Sequence, residues 1–426
     1  MKSTLIFFAL LIPVLAWPQS ARNRAVQIFD LKENAWISEI NPLPIENSGP
    51  FLSTFVKWEE SGNVLISIRL SKDGENWGDW QTFIRDEHAD PGVNISELMF
   101  IEPEIRFFQL GKIGKMAAPV TIHFYNPGFT PEKTPENPVY ALNPVDECTC
   151  PMPDYQNRNQ WCPSGDCPPN PNPSYTTVTH LIVHHSAGGN TSSDWAAVVR
   201  SIWDLHVNGN GWADIGYNYL VDPNGVIYEG RGNNVLGAHF CGTNGQTMGT
   251  CVMGNFTEVT PTENALSSLT ALLAWKACDR DIDPQGTLFH PSSGLNLRQI
   301  SGHRDGCATE CPGNAFYPLL QDVRDGVSDY QQTVCSILAA GEPADPAPFT
   351  VFPNPVRDLI TLQSAAAAPA AFDLEILDAR GRVVRHVGFS AGSGLEIPVS
   401  NLASGLYYLH WQSSRSAGFQ KFIKIE

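Results

Sequence analysis

The chain has 426 residues, with 44 acidic against 27 basic side chains and a formal charge of −17. That length exceeds one ordinary core and calls for several units of roughly 100–200 residues each. The acidic balance argues against a nucleic-acid partner, whose phosphates need basic stripes, and the frequent Gly and Pro favour β-rich units joined by irregular linkers.

Residues 1–20 read as a secretory signal peptide. Lys2 supplies the positive start and Leu5 to Ala16 the apolar run, which is shorter than the ~20 residues of a bilayer span. Cleavage is expected between Ala16 and Ala21, and no later apolar run is long enough for a transmembrane segment. Residues 21–128 read as a β-sandwich domain of unassigned role. Val64, Ile66, Ile68 and Leu70 alternate onto one face, Asp73-Gly74 signals a turn, and Phe100-Ile101, Ile105 to Leu110 and Val120 to Tyr125 supply further strands. Trp77 and Trp80 offer a sugar platform or, more commonly, packing surface.

Residues 129–174 are rich in Pro, Asn and Cys and read as a linker. Cys148, Cys150, Cys162 and Cys167 lie close together, but not as the usual pair of C-x2-C zinc knuckles. In an exported chain, local disulfides are expected rather than a second zinc, with connectivity left open.

Residues 175–338 alternate strand and helix patterns, the mark of an α/β unit. Thr179 to His184 is a short strand, and apolar positions 195, 198, 199, 202, 203 and 206 have helical spacing. Tyr217 to Val221 and Val226 to Glu229 flank a turn as a hairpin, and Cys251 to Met253 is a strand. Thr260-Pro261-Thr262-Glu263 predicts a helix running to about Arg280, with Thr260 as its cap and Glu263 completing a capping box. Residues 339–348 form a second linker. In 349–426, Ile360 to Leu362, Phe372 to Leu377, Val383 to Val387 and Leu406 to Trp411 suggest a small second β-sandwich.

The central unit offers His184, His185, His206, His239, His290, His303, Cys307 and Cys311 as metal-ligand types, and spacing alone does not choose among them. A lone histidine is more often structural than catalytic. His184 and His185 end a strand, so they point to opposite faces and one of them enters a given pocket. His206 falls on the apolar stripe of its helix and reads as a core residue. Cys311 follows a loop that can fold back beside His303.

Six stretches then make the central unit recognisable. They are Ile182-Val183-His184-His185-Ser186-Ala187-Gly188, Gly211-Trp212-Ala213-Asp214-Ile215-Gly216-Tyr217-Asn218-Tyr219, Tyr228-Glu229-Gly230-Arg231-Gly232, Gly237-Ala238-His239, Val252-Met253-Gly254-Asn255-Phe256 and Gly302-His303-Arg304-Asp305. Together, in this order, they resemble the peptidoglycan recognition proteins and phage-lysozyme-type zinc amidases. The resemblance implies a mixed sheet with helices on both sides and Zn2+ held by His184, His303 and Cys311. It implies an N-acetylmuramoyl-L-alanine amidase, which cuts the lactyl amide between N-acetylmuramic acid and L-alanine of peptidoglycan. It also implies catalytic roles for Tyr217 and Thr309, and muropeptide contacts by His239, His185, Trp212 and Arg231. Thr309 stands where the phage enzyme has Lys and recognition proteins often have Thr. Two histidines and a cysteine leave a fourth zinc position open, as catalysis requires. The rival is a noncatalytic peptidoglycan-binding protein; binding-only relatives typically lack the ligand cysteine. Cys307, four residues before Cys311, raises the alternatives of a competing ligand, a pairing with another cysteine, or a disulfide with Cys311 that disables the site.

At the end of the chain, Phe352-Pro353-Asn354-Pro355, Asp378-Ala379-Arg380-Gly381, Leu402-Ala403-Ser404-Gly405-Leu406-Tyr407 and Lys421-Phe422-Ile423-Lys424-Ile425 resemble a type IX secretion sorting domain. This implies a Bacteroidota-type source, type IX secretion machinery as a partner, and a secreted or cell-surface location.

Overall fold

The computed structural model describes residues 22–28, 35–59, 64–89, 92–114, 119–131, 150–335, 349–364, 371–378, 383–390, 395–403, 405–412 and 417–425. The signal-peptide reading, Cys148 and the linker at 339–348 lie outside them, as does much of the first linker.

Near the N-terminus two antiparallel sheets share one core. The first orders its strands Asn23–Ile28, Val120–Tyr125, Leu52–Trp58 and Asn94–Ile95, with Met99–Ile101 also on Leu52–Trp58. The second orders Ala35–Ile37, Phe107–Ile113, Leu65–Ser71 and Gln81–Thr82, with Asn41–Pro42 also on Phe107–Ile113. Leu52, Val56 and Ile122 of the first meet Ile66, Ile68 and Leu110 of the second in a buried cluster. This is the alternation read at Ile66 and Ile68. Trp77 and Trp80 both face Arg69, whose guanidinium lies 4.9 Å from each ring.

The central sheet has six strands, in the order Tyr155–Gln156, Ile227–Glu229, Tyr219–Val221, Thr247–Val252, His180–His185, Ile300–Gly302. Every pairing is parallel except the hairpin of Tyr219–Val221 with Ile227–Glu229. His180–His185 lies inside this sheet and is buried at all six positions, which explains its near-continuous apolar run. Alternation sends Leu181, Val183, Tyr219 and Val221 to a core shared with the helices Glu263–Asp279 and Leu320–Tyr330. Leu220 and Cys251 face the opposite way, toward the helix Trp195–Asp204.

Three local features differ from the sequence reading. The long helix is capped by Thr262, whose side chain accepts from the Ala265 amide, and starts at Glu263. Thr260 is therefore not the cap, and Glu263 is the first helical residue rather than the reciprocal member of a capping box. Residues 150–174 do more than link: Tyr155–Gln156 adds a strand to the sheet, Trp161 is fully buried, and Arg158 forms a two-pronged ion pair with Asp214. Among the described cysteines of the cluster, Cys162 and Cys167 pair locally. Cys150 reaches Cys335 across 185 positions, sewing this segment to the end of the central unit.

The two-sheet unit docks on the helix Trp195–Asp204 and its wider continuation Leu205–Gly209. Phe55 and Ile95 pack on Leu205, and Phe51 joins the cluster around Trp195 and Ile202. The buried Arg200 guanidinium donates to the carbonyls of Pro127, Gly128 and Trp161. Lys57 reaches the Gly209 carbonyl at 2.5 Å. At the C-terminal end, sheets of three and four strands enclose Ile360, Leu374, Leu409 and Phe422. That unit meets the centre through an ion pair of Lys421 with Asp154 and the facing hydroxyls of Tyr330 and Tyr408.

Candidate metal centre

Register places two histidines side by side. Val183 lies level with Gly302 on neighbouring parallel strands, so His184 and His303 leave the same edge of the sheet. Their ring centres are 4.5 Å apart. C-terminal ends of parallel strands are the usual place for a site in an α/β sheet.

Cys311 arrives by a folded loop. The Arg304 amide and its Nε both donate to the Cys311 carbonyl, at 3.0 and 3.4 Å, and the Cys307 amide donates back to the His303 carbonyl. Asp305 closes the turn by accepting from the Gly302 amide and the Tyr317 hydroxyl. The Cys311 sulfur then lies 3.7 Å from His184 Nδ1 and accepts from the His185 amide. Cys307 is bonded to Cys241, which settles the question it raised, while Cys311 and Cys251 are free and buried.

A fourth residue completes the cluster, and no sequence reading named it. His88, at the tip of a turn in the N-terminal unit, stacks on His303 at 5.2 Å with the rings 16° apart. One ligand atom from each of His88, His184, His303 and Cys311 lies within 4.8 Å of the others. The His88 side chain is only 7% exposed. Its one sequence signal is weak: an acid–acid–histidine tip, Asp86-Glu87-His88.

The donor set fits a zinc-type cation. Both ring nitrogens of His303, and Nε2 of His88, are buried without a hydrogen-bond partner; such orphaned lone pairs are costly unless something binds them. Nδ1 of His88 is held by Asp86 Oδ1 at 3.0 Å, and Nε2 of His184 lies 3.0 Å from His239 Nδ1. Metal-ligating histidines are typically oriented in this way from behind. Burial, then neighbouring imidazoles, push the His184 and His303 pKa values well below the ordinary range, and the neutral ring is the form that binds metal. Burial also lowers His88, but attraction to the Cys311 sulfur and the bond from Asp86 outweigh it, so the net direction is upward.

The remaining predicted site residues divide into three groups. Tyr217 is buried with its ring centre 5.2 Å from that of His184. Burial, then Cys251 and Cys311, hold its hydroxyl pKa well above the usual value, so it remains a proton donor. Trp212, Thr309 and His239 line a cleft of about 280 Å³ beside His303. His239 also lies 3.2 Å from the Thr247 hydroxyl, and Gly249 makes room for its ring, since a Cβ there would stand 2.5 Å from it. The other two residues stand outside this cleft, His185 with its ring centre 6.5 Å from that of His88. His185 points to the opposite face, as alternation requires, and accepts from the Phe256 amide. Arg231 turns its guanidinium to the carbonyls of Ile215, Leu236 and Asp214. It therefore braces the loops around Tyr217 instead of presenting a free charge to a ligand.

Residues 174–314 match the N-acetylmuramoyl-L-alanine amidase family, and residues 350–426 match a secretion system C-terminal sorting domain. Peptidoglycan-recognition protein SC1a of Drosophila melanogaster is 38% identical over 142 residues, covering 33% of this chain and 70% of that protein. The N-acetylmuramoyl-L-alanine amidase of Homo sapiens is 37% identical over 145 residues, covering 33% of this chain and 23% of its own. A solved structure of Drosophila PGRP-LB is 26% identical, covers 39% of this chain and 92% of its own, and has a TM-score of 0.33.

Proposed function

We propose, for a chain that belongs to the peptidoglycan-recognition protein and N-acetylmuramoyl-L-alanine amidase family, that it is a secreted zinc-dependent enzyme cutting the lactyl amide between N-acetylmuramic acid and L-alanine. The observation that supports this most is the free, buried Cys311, with its sulfur 3.7 Å from His184 Nδ1 in the cluster that includes His303. These three residues would hold the ion. Bound there, zinc supplies a Lewis acid and draws the pKa of a water toward ~7. Tyr217, held protonated with its ring centre 5.2 Å from that of His184, would donate to the oxygen of the amide carbonyl as charge develops on it. Thr309 offers a hydroxyl beside the same cleft, and Trp212 and His239 form wall positions for the muropeptide.

In this reading residues 1–20 direct export, 21–128 form a β-sandwich, 175–338 are the amidase domain, and 349–426 are a type IX sorting sandwich. The sorting match at 350–426 supports a destination at the cell surface or beyond. Among the described residues no helix is long and apolar enough to cross a membrane. The second reading, a binder without catalysis, is supported by His88, whose ligand atom joins the same cluster and could take the position that catalysis needs open.

Mass analysis of peptidoglycan digested with and without chelator separates the two readings. The enzyme releases L-alanine-terminated peptides, loses this activity to the chelator and regains it with zinc. Retention of muropeptides with no bond cut by either the wild-type chain or His88→Ala, zinc present, establishes the binder.

A further inference from the structure

We propose that His88 is a fourth protein ligand of the metal centre and that the Asp86–Ala89 turn thereby holds the full chain latent. The inference rests on reading the centre as a zinc site. A catalytic zinc keeps three protein ligands and one open position, whereas four protein ligands make a closed site. Here a fourth ligand would be supplied by an imidazole whose Nε2 is buried without a hydrogen-bond partner, and whose Nδ1 is fixed by Asp86. The Asp86 carboxyl is itself only 4% exposed. That is a ligand with its orienting carboxylate, built into a different unit from the other three.

The neighbouring residue obstructs the second half of the site. Glu87 Oε2 accepts from the Thr309 hydroxyl and from the Glu310 amide, the latter at 2.7 Å. Thr309 is thereby engaged on the cleft side, and Arg85, Glu87, His88 and Ala89 form one wall of the cleft that Trp212 and His239 line. The turn does not rest there loosely. The Asp86 amide donates to the Ile95 carbonyl, Arg85 bridges to Ser96, and Ile95 packs with Phe55 on Leu205. On this proposal the turn and the scissile end of a muropeptide would compete for the metal-proximal end of the cleft, so turnover requires the turn to withdraw.

The test uses the full chain loaded with zinc. His88→Ala is expected to weaken zinc binding in chelator competition by more than the about 10–100-fold that a merely supporting residue costs, and to turn over at least tenfold faster at saturating zinc. A fall in affinity without faster turnover overturns the latency. Faster turnover without a fall in affinity overturns the ligand. No change in either overturns both. His88→Gln repeats the measurement with a side chain of similar reach, in case alanine disturbs the turn. X-ray absorption on the zinc-loaded wild-type chain needs no variant: three imidazoles and one sulfur support the proposal, and two imidazoles overturn it. A wild-type chain that binds no zinc sinks the zinc reading and this proposal together. Zinc binding with two imidazoles leaves the zinc reading standing alone.

Discussion

His303 and His88 stack 5.2 Å apart in one cluster, yet they arrive by opposite routes. His303 belongs to the centre. It follows a strand paired with His180–His185, and register alone sets it beside His184. His88 belongs to the N-terminal unit and reaches the cluster only because Phe55, Ile95, Lys57 and Asn23 dock that unit on residues 204–209. The contrast teaches that three corners of the site are local consequences of one sheet, while the fourth depends on an interface. Changes to the central corners should abolish function, and changes to the docked side should modulate it.

The largest effect is expected at Cys311. Cys311→Ala removes a ligand rather than a support, so zinc affinity should fall by more than the about 10–100-fold that supporting residues cost, and amide cleavage should vanish. Stoichiometric zinc and full activity in this variant would end the ligand assignment. Tyr217→Phe separates holding the metal from using it. Zinc content should stay at wild-type level while kcat falls about 10²–10³-fold, the usual cost of losing one donor to a developing oxyanion. An unchanged kcat removes Tyr217 from the chemistry.

The loop that presents Cys311 is braced twice, by Arg304 on the Cys311 carbonyl and by the Cys241–Cys307 disulfide. Replacing both disulfide cysteines with serine should lower stability by about 2–4 kcal/mol, since the bond closes a long loop. The thermal midpoint should drop while zinc binding at low temperature persists. Loss of zinc from a chain that remains folded would show that the disulfide, and not Arg304, positions the ligand.

Much of the central corner was legible. Alternation said that only one of His184 and His185 enters a given pocket, because side chains on a strand have a strict period of two, and the resemblance chose His184. The Gly302-His303-Arg304-Asp305 stretch encodes its own turn, with Asp305 closing on the Gly302 amide. Other features were not legible, for reasons of range and length. Cys150 and Cys335 are brought together by the fold across 185 positions, and cysteine spacing contains no such information. Tyr155–Gln156 is a two-residue strand inside a Pro-rich segment, too short for any periodicity. The helix cap moved from Thr260 to Thr262, an ordinary uncertainty where two capping residues flank a proline. His88 sits in a turn among acids with no spacing to the other ligands, so only the docking of one unit on another reveals it.

That docking has a group that reports on it. Asp204 is buried at the interface, its Oδ1 accepting from Asn23 of the N-terminal unit and from Asn208. Burial pushes its pKa up to about 7, against the downward pull of those two bonds. Between about pH 4, where the unfolded carboxyl ionises, and pH 7, the folded chain holds a proton that the unfolded chain lacks. Stability from this group is therefore greatest at low pH and is lost as pH rises through 7. Asp204→Asn stays neutral in both states and keeps an oxygen for Asn23 and Asn208. It should remove that slope and stabilise the chain above pH 7. The net gain should be on the order of 1 kcal/mol, because bonds to a neutral amide are weaker than those to a carboxylate. Unfolding midpoints of both chains from pH 5 to 8 measure the effect. Parallel curves would mean that Asp204 is ionised throughout and that the interface is wetter than its packing implies. Curves that converge toward pH 4, separate progressively up to about pH 7 and run at a constant gap above it would tie the seating of the unit that bears His88 to this one buried carboxyl.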